Sequence, residues 1–538
     1  MSSVSFETLV RELGTDPGSL EQVYRQAIRS GDQVAFAAAM EAAYAAEPDN
    51  LLYAAWHYRL AESAQPAIQR SIPWLWVVAA GLLNGLLLWF FSDDQRFQVK
   101  PIHPLDPSFG GWVPLIALLA APVTALCIAL FLRGAGGGRW QRVLMATAGL
   151  AAAVVYPLVA YRMMVPVLFQ TQYLNLMTLS GGVLALAAVG YVVLGRRSDP
   201  SARFAFLAKS LEVAVVAGLL GIALGLFTAV TFGLFSVLGI DPPGWVQRLF
   251  VAGGGGALAV VAVALAYDPR RSPTEQPFDD GVSRLVATLM RLLLPLSIGV
   301  LVVYLAFVPF YWQEPFRSRD ALAAANAMLF AVLALLVGVV PVADGGLSER
   351  GRRWLRAGVI ALAALALVVG VYALAAIVYR TAVGRLTVNR LAFIGWSVVN
   401  IAALAALLLY QRRAGSRWLQ AVHKAFALAT ALYVAWAALT LVGLPWVFRG
   451  SPTAVPATLP VSVRRLVYEL PEPILLMCYG SPHIYALEDG QKRWIRDIPT
   501  FEAQGFRWND VHFLACDDLR AVPDGPPIPP DAGLPPQP

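Results

Sequence analysis

Eleven stretches of about 20 nearly uninterrupted apolar residues dominate this chain. They centre on residues 73–92, 113–132, 142–163, 174–195, 212–238, 247–267, 285–309, 321–343, 356–379, 388–411 and 424–447. Each is long enough to cross a ~30 Å hydrocarbon core at ~1.5 Å rise per residue. Lipid offers no partner to backbone N–H and C=O groups, so each run is expected to be a helix that closes its own hydrogen bonds. The composition agrees, with 58% hydrophobic and only 14% charged residues, against ~25% charged in soluble domains. The expected fold class is an all-α integral membrane protein, a bundle of about 11 transmembrane helices over residues 73–448. The first run begins at Pro73, beyond the usual place of a cleaved signal, and is expected to remain as an anchor.

The connections between runs alternate in charge. One set carries Arg133, Arg139 and Arg142, then Arg196, Arg197, Arg203 and Lys209, and so on to Arg412, Arg413, Arg417 and Lys424, eighteen cations in five connections. The other five connections carry eight. Cytoplasmic connections are the cation-rich ones. This gives a cytoplasmic N-terminus and, after an odd number of crossings, an extracytoplasmic C-terminus. The same distribution explains the formal charge of +7 without nucleic acid as a partner, because the cations sit in membrane connections.

Two soluble ends flank the runs. Residues 1–70 read as a small helical cap, with breaks at Ser30-Gly31-Asp32 and Pro48-Asp49-Asn50, and with Asp32 and Asp49 as helix-start residues. Small and aromatic residues at helical spacing make the cap similar to tetratricopeptide-type hairpins, though too short for a solenoid, which takes about three repeats. A helical groove there is a candidate docking surface for a protein partner. Residues 449–478 read as a linker and 479–527 as a small α+β module, followed by a disordered Pro-rich tail over 528–538. In the module, Glu488-Asp489-Gly490-Gln491 between Ile484–Leu487 and Lys492–Ile495 signals a hairpin. Thr500 is expected to cap a short helix that Gly505 ends, with another helix after Asp517.

The features Lys492, Arg493, Trp494, Ile495, Thr500, Phe501, Gly505, Phe506, Trp508, Val511 and Pro523 to Pro526 resemble a short repeat of secreted and surface proteins of bacteria. That resemblance implies a location outside the cell and a cell-envelope polymer or protein as partner. Residues 205–415 are similar to a bacterial multi-pass family catalogued as domain of unknown function 4153. The similarity rests on LLGIALGLFTAVTFGLFSVLGI (219–240), MRLLLPLSIGVLVVYLAFVPF (290–310) and Leu386-Thr387-Val388-Asn389-Arg390. Gly384 and Arg385 stand where that family has Tyr and Gly. The resemblance implies a bacterial cytoplasmic-membrane protein and carries no activity.

Residues able to do chemistry are few. No run holds Asp or Glu in its interior, Glu212 standing at an edge, which argues against ion-coupled transport of the usual kind. Arg291 is the one clear charge inside a run, close enough to its end to snorkel toward the interface. Gly221 and Gly225, and Gly253 to Gly256, read as close-packing positions. The glycine-rich segment 134–138 lacks the Lys-Ser/Thr of a phosphate loop and reads as a linker. Asp93 and Asp94, just after the first run, are candidate carboxylates of a lipid-linked-sugar glycosyltransferase, chemistry that needs two acids facing one pocket. Cys478 and Cys516 are disulfide candidates in an oxidising milieu. With His483 and His512 they form a rival four-ligand zinc set of irregular spacing. Arg380, Arg385 and Arg390 break the charge rule and are candidates to meet anionic headgroups. No cofactor is indicated. The expected function is a non-catalytic scaffold or accessory membrane protein. Its rivals are a transporter or flippase for an uncharged or lipid-like substrate, and the glycosyltransferase.

Overall fold

The computed structural model describes residues 3–30, 32–64, 72–103, 105, 111–138, 140–196, 198–278, 281–313, 316, 319–343, 348–383, 386–450 and 458–537. Two units divide the chain, Met1–Ile72 and Pro73–Pro538. In the first, α1 (Ser3–Glu12), α2 (Pro17–Ser30), α3 (Gln33–Ala46) and α4 (Leu51–Ala64) close over Val10, Leu20, Phe36, Met40 and Trp56. Asp32 stands at the N-cap of α3. The second expected cap moves by one residue. Asn50, rather than Asp49, accepts from the Leu52 and Tyr53 amides at 3.0 and 3.4 Å. Its amide side chain also donates to Gly14 O at 3.3 Å, tying the α1–α2 turn to the start of α4.

The second unit is a helical bundle. In chain order it contains α5 (Trp74–Phe91), α6 (Leu115–Gly136), α7 (Trp140–Ala160), α8 (Val167–Leu194) and α9 (Pro200–Val237). Then α10 (Gly244–Arg248) runs through a π-helical turn, Leu249–Gly254, into α11 (Gly255–Ala266). There follow α12 (Gly281–Phe307), α13 (Arg319–Val339), α14 (Glu349–Val383), α15 (Val388–Arg413) and α16 (Trp418–Val447). Among the described residues, ten helices are long and apolar enough to cross a membrane. The eleventh expected run, 321–343, is the 21-residue helix α13, apolar over Ala324–Val339. That helix carries the buried polar Asn326, which accepts a hydrogen bond from the Ser397 hydroxyl of α15 at 2.8 Å.

Two apolar cores hold the bundle. One is shared by the start of α9 with α12 to α16 and includes Phe204, Leu294, Leu336, Leu362, Ala366, Leu404 and Val422. The other lies at the opposite end, where Val113, Leu118, Tyr173, Leu174, Val388 and Leu444 meet. A two-residue ribbon in the α5–α6 connection, β1 (Gln98–Val99) with β2 (Val113–Pro114), forms part of that end. Glycine matters where α5 meets the π turn, because a Cβ at Gly85 would stand 2.7 Å from Gly253 O. The close approach lets Asn84, fully buried, donate to Gly256 O at 2.8 Å and to Thr124 Oγ1 at 3.1 Å. Gly221 and Gly225 behave otherwise than expected. A Cβ on either meets nothing within 4 Å. Beyond Val216 no residue of α9 is buried, and Leu219, Ile222, Leu226, Val230 and Leu234 point outward.

The C-terminal module is larger than its sequence boundary. It begins before residue 479, since α17 (Val461–Glu469) and β3 (Ile474–Cys478) belong to its core with Leu459, Val463, Tyr485 and Leu519. Its sheet has the order β5-β4-β3-β6, with β4 (Ile484–Glu488), β5 (Gln491–Ile495) and β6 (Val511–Leu514). The β4–β5 hairpin turns through Asp489 and Gly490 at φ 50° and 74°, the double positive φ that a two-residue turn of this hand needs. The helix α18 (Ile498–Ala503) is capped by Asp497, which accepts from Thr500 N at 2.8 Å, so Thr500 is the capped residue and not the cap. A last helix, α19 (Cys516–Arg520), follows β6.

The Pro-rich end is not a disordered tail in the structure. Lys492 N–H donates to Pro523 O at 2.8 Å and Gly525 N–H to Lys492 O at 2.9 Å. Ile528 N–H donates to Trp494 O at 2.7 Å, and the Tyr485 hydroxyl to Pro536 O at 2.6 Å. Proline-rich backbone lacks donors but keeps its carbonyls, and β5 uses both those carbonyls and the intervening amides.

Because the Gly85 contact is backbone on backbone, Gly85→Ala must push α5 from the π turn. We expect it to lower the stability of the detergent-solubilised chain by about 1–3 kcal/mol. Gly221→Ala, in open space, should leave the melting temperature unchanged.

Candidate functional site

The two ends of the bundle differ in chemistry. At one end α9 extends three turns further than the apolar run suggested, starting at Pro200 with Asp199 as its cap. Glu212 therefore sits inside the helix rather than at its edge, and it is buried together with Lys209. Lys209 Nζ donates to Glu212 Oε2 at 2.8 Å, to Ser283 Oγ at 2.9 Å and to Pro277 O at 2.6 Å. The Ser283 hydroxyl lies 2.9 Å from the Glu212 carboxylate, and the Phe278 ring lies 4.8 Å from the ammonium. The cluster joins the first turns of α9 to the first turn of α12. A buried ion pair survives only when such extra hydrogen bonds complete both partners. The apolar pattern does not reveal it, because Glu212 stands at the boundary of an apolar run.

Beside the cluster lies a cavity of about 830 Å³ between α9, α12 and the end of α13. Its wall includes Glu212, Ser283, Arg284, Arg291, Val340 and Val342. Arg291, expected to snorkel, instead lines this cavity, and its Nε is buried without an acceptor. Two smaller cavities, about 260 Å³ and apolar, and about 180 Å³ beside Arg133, Arg142 and Arg271, occupy the same end. Arg356 closes that end on the far side by donating to Gln411 O at 2.9 Å and Gly415 O at 2.9 Å.

At the other end, Asp93 forms ion pairs with Arg248 at 3.0 Å and with Arg96 at 3.5 Å. The Arg248 guanidinium holds the Asp93 carboxyl below the usual carboxylate range. This pair fastens the end of α5 to α10, as does the bond from Trp89 Nε1 to Trp245 O at 3.0 Å. Asp94 makes no ion pair among the described residues, and the three cavities above are lined by neither acid.

The module is fastened to this same end. His103 Nε2, in the α5–α6 connection, lies 3.9 Å from Glu469 Oε1 of α17, and its ring meets the edge of Tyr468. Gly450 N–H donates to Met163 O at 3.2 Å, where the chain leaves α16. Cys478 at the end of β3 and Cys516 at the start of α19 form a disulfide with Cα atoms 4.9 Å apart. The four-ligand zinc set is not brought together. His483 sits against Trp494, His512 is on β6 in register with Leu476, and no three His, Cys, Asp or Glu among the described residues converge as metal ligands. Of the three arginines that break the charge rule, Arg380 lies in the last turn of α14 and Arg390 in the first turn of α15, where Thr387 Oγ1 accepts from its amide at 3.3 Å. Arg385 lies outside the described residues.

Inside the module the buried Lys492 is the organising cation. Its Nζ donates to Val522 O at 2.6 Å and lies 3.1 Å from Asp524 Oδ1. Arg493 extends outward to Glu488 and Pro526 O. These side chains bind the chain's Pro-rich end, which accounts for their spacing from it. Comparison with family models, curated proteins and solved structures finds no match to this chain.

Lys209→Met should strand the Glu212 carboxylate and cost about 3–5 kcal/mol, measured by denaturant unfolding in micelles. Adding Glu212→Leu should recover most of that loss. Intact mass of the module-bearing chain should rise by two hydrogens on reduction, and Cys478→Ser should cost the module about 2–4 kcal/mol.

Proposed function

We propose that this chain is a non-catalytic scaffold of a bacterial cytoplasmic membrane, with its N-terminus in the cytoplasm and its C-terminal module outside. The observation that carries the reading is the way the module is held. The contacts of His103 with Glu469 and Tyr468 hold it against the bundle end, and its own disulfide and buried lysine stiffen it internally. A rigid mount suits presentation of a surface to an envelope polymer or protein. The N-terminal four-helix unit would take a protein partner on the cytoplasmic side, and Arg380, Arg385 and Arg390 would meet anionic headgroups outside. Residues 205–415 and the module would belong to the families they resemble. The glycosyltransferase alternative loses support because Asp93 is engaged with Arg248 and Arg96. Cation-rich connections support the orientation, since Arg133, Arg142, Arg271 and Arg356 lie at the end away from Asp93 and the module.

Reporters fused after Pro538 test the orientation. An alkaline phosphatase fusion should be active and a green fluorescent protein fusion dark. The reverse pattern would remove both the orientation and the envelope-facing scaffold.

A further inference from the structure

We propose that the cavity between α9, α12 and the end of α13 binds an amphiphilic anion, its phosphate or carboxylate head held by Arg284 and Arg291. The inference is independent of the scaffold reading and concerns the opposite end of the bundle. Three observations carry it. The first is charge. Among the described residues of the wall the one acid, Glu212, is already neutralised by Lys209 and hydrogen-bonded by Ser283, so the charge left over there is that of the two arginines. Neither arginine has an ion-pair or hydrogen-bond partner among the described residues.

The second is the buried Nε of Arg291. A guanidinium has five N–H donors and no acceptor of its own. Leaving a buried donor unmet costs about 1–3 kcal/mol, more when it is charged. Placing such a group ten residues into α12, some 15 Å along its axis, is a loss unless oxygen atoms from elsewhere meet it. Phosphate and carboxylate oxygens match the guanidinium fork in pairs.

The third is shape. The inner end of the cavity is closed where Gly338 of α13 lets Met290 and Leu211 approach, a Cβ there falling 2.7 and 2.8 Å from their side chains. Beyond Val286 and Ala287, the outer face of α12 is bare, with Leu285, Leu289, Leu292 and Leu296 exposed. A head in the cavity could therefore run its chains along an apolar helix face without crossing a polar surface. A volume of about 830 Å³ suits a lipid head with the first part of its chains. Lipid headgroup and free anion share the same head chemistry, and the face of α12 favours the lipid.

The full chain in detergent micelles, mixed with a photoreactive phosphatidylglycerol carrying its diazirine on the acyl chain, tests this. Labelled peptides would be mapped by mass spectrometry. Labelling is expected on 281–296 and 337–343, and unlabelled phosphatidylglycerol should compete while phosphatidylcholine does not. The variant Arg284→Gln with Arg291→Gln should lower labelling of those peptides about tenfold or more, the factor one lost charged hydrogen bond implies. Labelling elsewhere should stay constant. Arg291→Lys, which keeps the charge but not the fork, should fall between, and Ala287→Phe should block the cavity without changing charge. Each variant would be compared only as a monodisperse peak in size exclusion. Should the double variant aggregate, the Lys and Phe variants decide. Undiminished labelling in folded variants overturns the proposal. So does competition by inorganic phosphate as effective as that by phosphatidylglycerol, which would make the site one for a free anion.

Discussion

Hydrocarbon has no hydrogen-bonding atoms, so each polar group drawn into the bundle must find its partner within the chain. The helices solve this for the backbone, and the side chains repeat the solution at several depths. Asn84 reaches the backbone of α11 just past the π turn, Ser397 reaches Asn326, and the Tyr433 hydroxyl donates to Asn400. Ser180 and Thr440 pair at 3.0 Å, and the Tyr173 hydroxyl donates to Leu441 O at 2.7 Å. All but the Tyr433–Asn400 bond join helices that are not consecutive in the chain, so polar satisfaction also fixes which helix lies beside which. Between apolar surfaces in lipid there is little hydrophobic drive to choose neighbours, and packing with such bonds decides. Against this pattern, Arg133 and Arg291 each keep a buried guanidinium nitrogen without an acceptor, and each lines a cavity, Arg291 the largest of the three.

The same constraint divides the molecule into unlike ends. The Lys209 end keeps its ion pair internal and lets α9, α12 and α13 part around a cavity. The Asp93 end is closed by ion pairs, a short ribbon and the module. Burial follows this division. The start of α9 is packed in the larger core, whereas its second half is bare. That half meets the π turn, where Leu224 approaches Gly254 and Phe227 and Phe232 lie against Phe250.

How far these features were legible in the sequence depends on their physical range. Apolar runs reveal spans because crossing needs only length and hydropathy, and all eleven runs lie on helices, ten of them long and apolar enough to cross a membrane among the described residues. Glu212 misled because hydropathy cannot see a lysine one turn earlier cancelling its charge, nor the serine of α12 that completes the pair. Gly221 and Gly225 have close-packing spacing, but spacing says nothing about which face meets a neighbour. Caps were found to within a few residues, as Asn50 for Asp49 and Asp497 for Thr500. Neighbouring Asn, Asp and Thr compete for the same amides, and only backbone geometry chooses. The Asp489-Gly490 hairpin was legible because two positive φ values exclude most other residues.

The Pro-rich end was misread for a more general reason. Composition reports that a segment cannot build its own ladder, and disorder is then the default. A segment that cannot pair with itself can still be paired by another. Here β5 presents amides and carbonyls to residues 523–528, while Lys492 gathers carbonyls from Val522 and Arg520 at its buried tip. A module of about 80 residues has a limited apolar core. Burying a lysine in it is tolerable only because three oxygens surround the ammonium, and all three come from the chain's last turn and tail. The lysine and the Pro-rich end thus require each other. Removing the tail would take the Asp524 carboxylate from the cation, and removing the cation would leave the tail with fewer ties to the sheet. The disulfide supplies a separate constraint, joining the end of β3 to the start of α19 just before that tail. Local composition could register each part, but their dependence on one another exists only across the sheet.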